Sequence, residues 1–214
     1  MRNEVLIIFG VLAVVFIVFA IVLGSLGKRG RDRRDDNDNA ESRRAGRSGE
    51  IYAEERIKTV LRGNDCLLTN VAISYEGRET ELDNVVINNC GVFIIEVKNY
   101  NGRLVGKADD FEWKKYKKTQ AGNVYERDVK NPIRQVRRQI HLLARYLEAN
   151  GLKVWVKGYA MLINANSPVK SAYVLEDIEA VDRALHTSSK VVLSDQLIEE
   201  ISALLLSTGH LSRI

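Results

Sequence analysis

The sequence predicts an α/β domain behind an apolar leading segment, and three features carry that expectation. Apolar residues at helical spacing open the region after residue 48, β-rich runs flank an Asn/Gly turn, and a proline-started amphipathic stretch follows. The expected order is a helix, three or four meandering strands, then helix, strand and helix.

The leading segment comes first. Val5 to Leu26 (VLIIFGVLAVVFIVFAIVLGSL) holds no charge over 22 residues. At about 1.5 Å per residue that suffices to cross a hydrocarbon core of roughly 30 Å. A retained anchor over residues 1–27 is expected; a cleaved signal peptide competes, but the run is long and no small-x-small site follows it. Lys28, Arg29, Arg31, Arg33 and Arg34 follow the span directly, which by the positive-inside rule puts the amino terminus outside and the rest in the cytoplasm. Residues 28–48 are almost all Arg, Asp, Asn, Gly and Ser, and read as a flexible charged linker.

Residues 49–214 are then the folded domain. The chain of 214 residues has a net charge of +4, but residues 49–214 hold 23 basic and 22 acidic side chains, so overall charge does not argue for nucleic acid. Distribution does: residues 103–145 carry 12 Lys/Arg against 5 Asp/Glu. Cys66 and Cys90 lack CxxC or His spacing and suggest neither a disulfide framework nor a zinc site.

Within the domain, Ile51, Ala53, Ile57, Val60 and Leu61 form the first helical stripe, ended by Gly63-Asn64. Leu67 to Ser74 is a strand and Tyr75 to Arg78 a turn. Thr80 to Asn88 and Gly91 to Lys98 flank a turn at Asn89-Cys90 and predict a hairpin. That pairing sets Asp83 opposite Glu96 and Glu81 opposite Lys98, all on one face. Facing acids need a cation between them or a raised pKa on one. A hard divalent metal with Lys98 beside it is one answer, and a surface charge ladder pairing Glu81 with Lys98 is the other.

Arg103 to Gly106 reads as a short strand, and Trp113 to Lys118 (WKKYKK) as a loop. Asn131-Pro132 starts a helix whose apolar stripe runs from Ile133 to Leu147, with Arg134, Arg137, Arg138 and Arg145 on another side and Gln135 and Gln139 bordering the stripe. Val154 to Asn164 is a strand, and Asp195 to Leu206 an amphipathic helix capped by Ser194. Its apolar face is either core or a docking surface for another protein. His141, His186 and His210 match no ligand or triad spacing and read as helix surface or tail. No GxSxG, P-loop or GxGxxG occurs.

The stretch ELDNVVINNCGVFIIEVKNYNGRLVG at 81–106, with Trp113, Asn131-Pro132 and Gln135, resembles the nuclease-related domain (NERD) family of the PD-(D/E)XK nuclease-like superfamily. The resemblance covers about residues 49–206. It implies a restriction-endonuclease-like fold, a central mixed sheet flanked by helices, acting on nucleic acid, DNA before RNA, with Mg²⁺ or Mn²⁺. Asp83 and Glu96 look like the metal-binding acids, the Val97 carbonyl like a further ligand, and Lys98 like the residue that orients or activates water. Gln135 resembles the helix-borne polar residue facing the site. Glu54 resembles the acid of the first helix, where Ala53 stands in place of the family's more frequent Gly; Glu50, on the same helical face, competes with it.

Substrate grip is expected from Trp113, Lys114, Lys115, Lys117 and Lys118, extended by Arg134 and Arg138, since ammonium groups bind phosphates and aromatic rings stack on bases. A binding or scaffolding module that keeps the fold without turnover is the alternative function.

Overall fold

The computed structural model describes residues 43–118, 122–187 and 192–207, with backbone alone at 210–212. The apolar span at 5–26 and the linker through residue 42 lie outside the described residues. Among the described residues no helix is long and apolar enough to cross a membrane.

Helix α1 covers residues 43–58 and so takes in positions 43–48, expected to belong to the linker. Arg and Ala there are good helix formers, which the charge pattern obscured. Its buried positions Ala53 and Ile57 follow the expected stripe. Strands β1 (Cys66–Tyr75), β2 (Arg78–Asn88) and β3 (Gly91–Lys98) form an antiparallel meander. The first turn has positive φ at Glu76 and Gly77, the geometry a two-residue hairpin of matching twist requires. The second lies at Asn89-Cys90, closed by the Asn88–Gly91 pair, as the sequence indicated. Asn88 secures it, its Nδ2 donating to the Leu185 carbonyl and its Oδ1 accepting from Cys90 N.

A smaller antiparallel sheet follows: β4 (Arg103–Val105), β5 (Glu112–Lys118) and β6 (Val124–Lys130). The lysine-rich segment expected as a loop is thus a strand. Its odd residue Trp113 is buried while Lys114 is exposed, an alternation that β6 completes by pairing. Helix α2 (Pro132–Ala149) begins as expected, with Asn131 Oδ1 accepting from Ile133 N at 3.0 Å and Pro132 in the first turn. The Asn131 amide also donates to the carbonyls of Lys107, Ala108 and Asp110, fixing the preceding loop to the helix start.

Strand β7 (Val156–Leu162) lies parallel to β3, β8 (Val174–Leu175) lies parallel to β7, and β9 (His210–Ser212) lies antiparallel to β1. The main sheet therefore runs β8-β7-β3-β2-β1-β9 and is mixed. A Cβ at Gly158 would meet Val136 and Ile140 at 2.8 Å, so glycine lets α2 lie close over β7. Helices α3 (Ile178–His186) and α4 (Asp195–Leu206) complete the domain. One core layer joins Val85, Ile87 and Ile94 to Leu143 of α2 and Ile201 of α4; the other joins Val86, Phe93 and Ile95 to Ile57 of α1 and Leu185 of α3. The sheet is covered on both faces, which makes this a three-layer α/β fold. Ile201 and Leu205 are fully buried, and emptying such a site costs about 2–5 kcal/mol, so the apolar face of α4 is core rather than a docking surface.

Candidate active site

The site forms where β2 and β3 part. Their ladder ends at Asn84–Ile95, and between β1 and β2 the register passes from Thr69–Asn84 to Val71–Leu82, leaving Asn70 and Asp83 in a gap. Asn70 takes a left-handed conformation, φ 52°, tolerated by Asn. Both strands reverse their faces here: Leu68 shares a core layer with Val71, and Val85 with Leu82, three residues apart rather than two. The gap leaves Asp83 outside the ladders on both sides, and its carboxylate accepts the Val97 N–H at 2.7 Å.

This break corrects one expected pairing. Glu81 does not face Lys98; it is exposed, and its carbonyl accepts from Gln139 Nε2 at 3.2 Å. Lys98 instead pairs with Glu96 on its own strand, Nζ to Oε1 2.5 Å. The charge ladder of Glu81 with Lys98 is therefore absent among the described residues.

Glu96 is the hub, 2% exposed. Gln135 Nε2 donates to its Oε1 at 2.5 Å and Gln139 Nε2 to its Oε2 at 2.6 Å. Gln139 is fully buried, and its Oε1 has no partner among the described residues. Its place in the site was only half visible in sequence: the spacing of four from Gln135 put both on one helix face, but nothing singled it out from helix surface.

Burial first and the Glu96 carboxylate second push the Asp83 carboxyl up to about 7, while the Val97 N–H and Lys98 pull it down. Burial acts to lower the Lys98 ammonium, but Glu96, with Tyr100 and Asp83, outweighs it and holds Lys98 above its ordinary value. Glu50 also acts on Asp83, raising its pKa, which sets Glu50 within electrostatic range. Glu54 is in an ion pair with Lys58 at 2.9 Å. Glu50 of α1 thus contributes to the field at Asp83.

The expected grip residues separate. Trp113 is 0% exposed, packs in a third core cluster with Leu104, Ile133 and Leu162, and donates Nε1–H to the Lys107 carbonyl. A fully buried ring offers no face to a base, so Trp113 is structural, and the sequence misread it because its lysine neighbours mimic a stacking motif. Gly106 exists for this ring, since a Cβ there would meet it at 2.2 Å. Lys114 is held by Glu126 and Asp128 at 2.9 and 2.7 Å. Lys115 is half-buried, and Lys117 and Lys118 are exposed. Arg134 lies over the Phe111 ring and donates to the Asp109 carbonyl; Arg138 donates to the Glu79 carbonyl.

A second acidic cluster was missed. His186 is not surface or tail: its side chain and that of Asp65 are each 5% exposed, with Nε2 to Asp65 Oδ2 2.8 Å and Nδ1 to Asp182 Oδ1 2.6 Å. The partners are 121 residues apart in one case, so no local spacing could reveal them.

The chain matches the family described as nuclease-related domain over residues 45–163, more than half its length. It belongs to the nuclease-related domain family. It is also 32% identical over 69 residues to an uncharacterized protein of Bacillus anthracis, a match spanning 32% of each chain. No solved structure matches it.

Proposed function

We propose that this chain is a membrane-tethered, Mg²⁺- or Mn²⁺-dependent nuclease that hydrolyses phosphodiester bonds of nucleic acid, DNA before RNA, at the cytoplasmic membrane face. The observation that carries the reading is the convergence of Asp83, Glu96 and Lys98 where β2 and β3 separate, with two acids kept close enough to raise one pKa. Family membership supports a nuclease-related role. The apolar run at 5–26 and the arginines after it support the tether and its orientation.

The donor set fits a hard divalent cation. Two carboxylates of facing strands repel each other, which an ion between them would relieve, and the Gln139 carbonyl oxygen beside them is buried without a partner among the described residues. No group of three or more His, Cys, Asp and Glu placed to hold a metal ion occurs among the described residues, so such an ion would keep water and substrate oxygens, as Mg²⁺ commonly does. Asp83 and Glu96 would hold it, with the Val97 carbonyl as the resemblance implies. When bound, such an ion supplies Lewis-acid polarisation of the phosphate and lowers the pKa of water.

The residues divide the remaining work. Lys98, held protonated, is not a base; it presents a fixed positive charge to the negative charge that develops on phosphate oxygens. Gln135 and Gln139 each fix one oxygen of Glu96 and so set the orientation of its carboxylate. Glu50 adds to the negative field at Asp83, and Glu54, the first-helix acid that the resemblance implies, is paired with Lys58.

A second reading has one observation behind it. Glu96 already receives Lys98, Gln135 and Gln139, a closed network that a non-catalytic nucleic-acid-binding module would keep. Cleavage of labelled single- and double-stranded DNA and RNA by the full-length chain in detergent, with Mg²⁺, Mn²⁺ or EDTA, separates the two. Metal-dependent cutting abolished by Asp83→Ala, Glu96→Ala and Lys98→Ala is the expected result. Binding without cutting in every condition leaves the scaffold reading.

A further inference from the structure

The small sheet has two faces of different electrostatic character, and strand register assigns each side chain to one of them. Trp113 pairs with Val129, Lys115 with Arg127 and Lys117 with Tyr125, and directly paired residues share a face. The other face carries Lys114, Tyr116, Lys118, Glu126 and Asp128, mixes both signs, and neutralises Lys114 with two carboxylates. The first face carries Lys115, Lys117 and Arg127, with no acid in the β5–β6 register and no ion pair to any of the three among the described residues.

Like charges directly opposite on a ladder destabilise it, so the Lys115–Arg127 pair is a feature that the fold alone does not favour. Burial first, and then the charges of Arg127 and Lys117, hold the Lys115 ammonium below its ordinary value. Tyr125 stands 61% exposed at the same face, an aromatic ring without a core to join. The root of the face leads to the candidate site: Trp113 and Val129 pack with Leu162, the residue paired to Lys98 in β7, and Tyr100 donates its hydroxyl proton to the Lys130 carbonyl at the end of β6.

We infer that this face, through Lys115, Lys117, Arg127 and Tyr125, is the track along which a single nucleic-acid strand is led to Asp83 and Glu96. The inference rests on the nuclease reading. Successive pairs on one face step by about 7 Å, so the three cations line a strand's backbone rather than clamp one phosphate. Tyr125 supplies a stacking surface that any base can use. The reading removes Trp113 and Lys114 from substrate contact and brings in Arg127 and Tyr125, which the sequence did not single out.

The test is anisotropy of a fluorescein-labelled single-stranded DNA oligonucleotide with full-length protein in detergent and EDTA, across a salt series. The variant Lys115→Gln/Lys117→Gln/Arg127→Gln is compared with Arg103→Gln/Lys114→Gln/Lys118→Gln, which removes equal charge from the opposite face. The first is expected to weaken binding at least tenfold and to flatten the slope of log affinity against log salt by about 2, at about 0.7 per phosphate contact. The second is expected to change the slope little. Tyr125→Ala is expected to weaken single-strand binding several-fold with the slope unchanged.

Equal effects from both faces, or none from the first, overturn the inference. If the triple variant fails to fold by circular dichroism, Arg127→Gln alone, at an exposed position, decides by the same slope. Lysine acetylation read by mass spectrometry supplies the other arm: the oligonucleotide is expected to protect Lys115 and Lys117. Protection by anionic-lipid nanodiscs and not by oligonucleotide would reassign the face to the membrane and overturn it. Cutting that persists while this face proves irrelevant to binding leaves the nuclease reading standing; face-dependent binding with no cutting in Mg²⁺ does the reverse.

Discussion

Two acidic clusters lie in this domain, and they are built on opposite principles. At Asp65, His186 and Asp182 an imidazole sits between two carboxylates, with both ring nitrogens within hydrogen-bond distance of an acid oxygen. Asp65 also accepts the Arg62 N–H, so each polar group of the cluster is used. At Asp83 and Glu96 two acids share a break in the sheet, and the nearby cation Lys98 is committed to Glu96. The first cluster joins the loop before β1 to the end of α3 and stabilises the fold. The second stores repulsion, which the proposed cation would relieve.

Turnover is where the two should differ most. Glu96→Gln or Lys98→Ala is expected to lower metal-dependent cleavage by at least about a hundred-fold, the scale of losing a charge-stabilising group. His186→Gln, assayed well below its melting temperature, is expected to keep cleavage within a few-fold of the parent chain. A large loss from His186→Gln would mean that the clusters are coupled, and the contrast would fail.

Stability should reverse that order. Removing the imidazole from the His186 cluster leaves the Asp65 side chain buried without its ring partner, and His186→Phe is expected to destabilise by about 3 kcal/mol in thermal unfolding. Asp83→Asn removes one of two repelling acids and can keep the contact with Val97 N–H. That variant is expected to gain about 1 kcal/mol in EDTA, roughly 3 °C in Tm for a domain of this size. A destabilised Asp83→Asn protein would show that the hydrogen bond outweighs the repulsion.

How much of this was legible in the sequence follows from the range over which each feature is determined. The Asn89-Cys90 turn, the Asn131-Pro132 helix start and the Ser194 cap are decided within three or four residues, and each stands where the pattern put it. The pairing of Glu81 with Lys98 required the alternation of β2 to continue unbroken. It does not, because one left-handed residue on the neighbouring strand, Asn70, reverses the face, and period-two patterning carries no signal for that. Trp113 was misplaced for a similar reason. Its burial depends on Gly106 and on Leu162, and neither is apparent from the lysines around it. Helix α3 went unread, and with it His186, because its role lies in a contact with Asp65, 121 residues away.

The finest test of the contrast is pH. The folded-state pKa of Asp83 is raised from its ordinary value near 4 to about 7, so between those values the folded chain binds a proton that the unfolded chain has released. The contribution of this group to stability is therefore fully present below the lower value and is lost as pH rises through the upper one. Denaturant unfolding in EDTA should show stability falling across that window, and Asp83→Asn should remove that part of the slope. Mg²⁺ competes with the same proton, so its stabilising effect should grow as pH rises over the same range. The His186 cluster gives no reason for a metal-dependent slope. If Mg²⁺ left the pH profile of the parent chain unchanged while Asp83→Asn flattened it, the repulsion at Asp83 would be real but would not serve a cation.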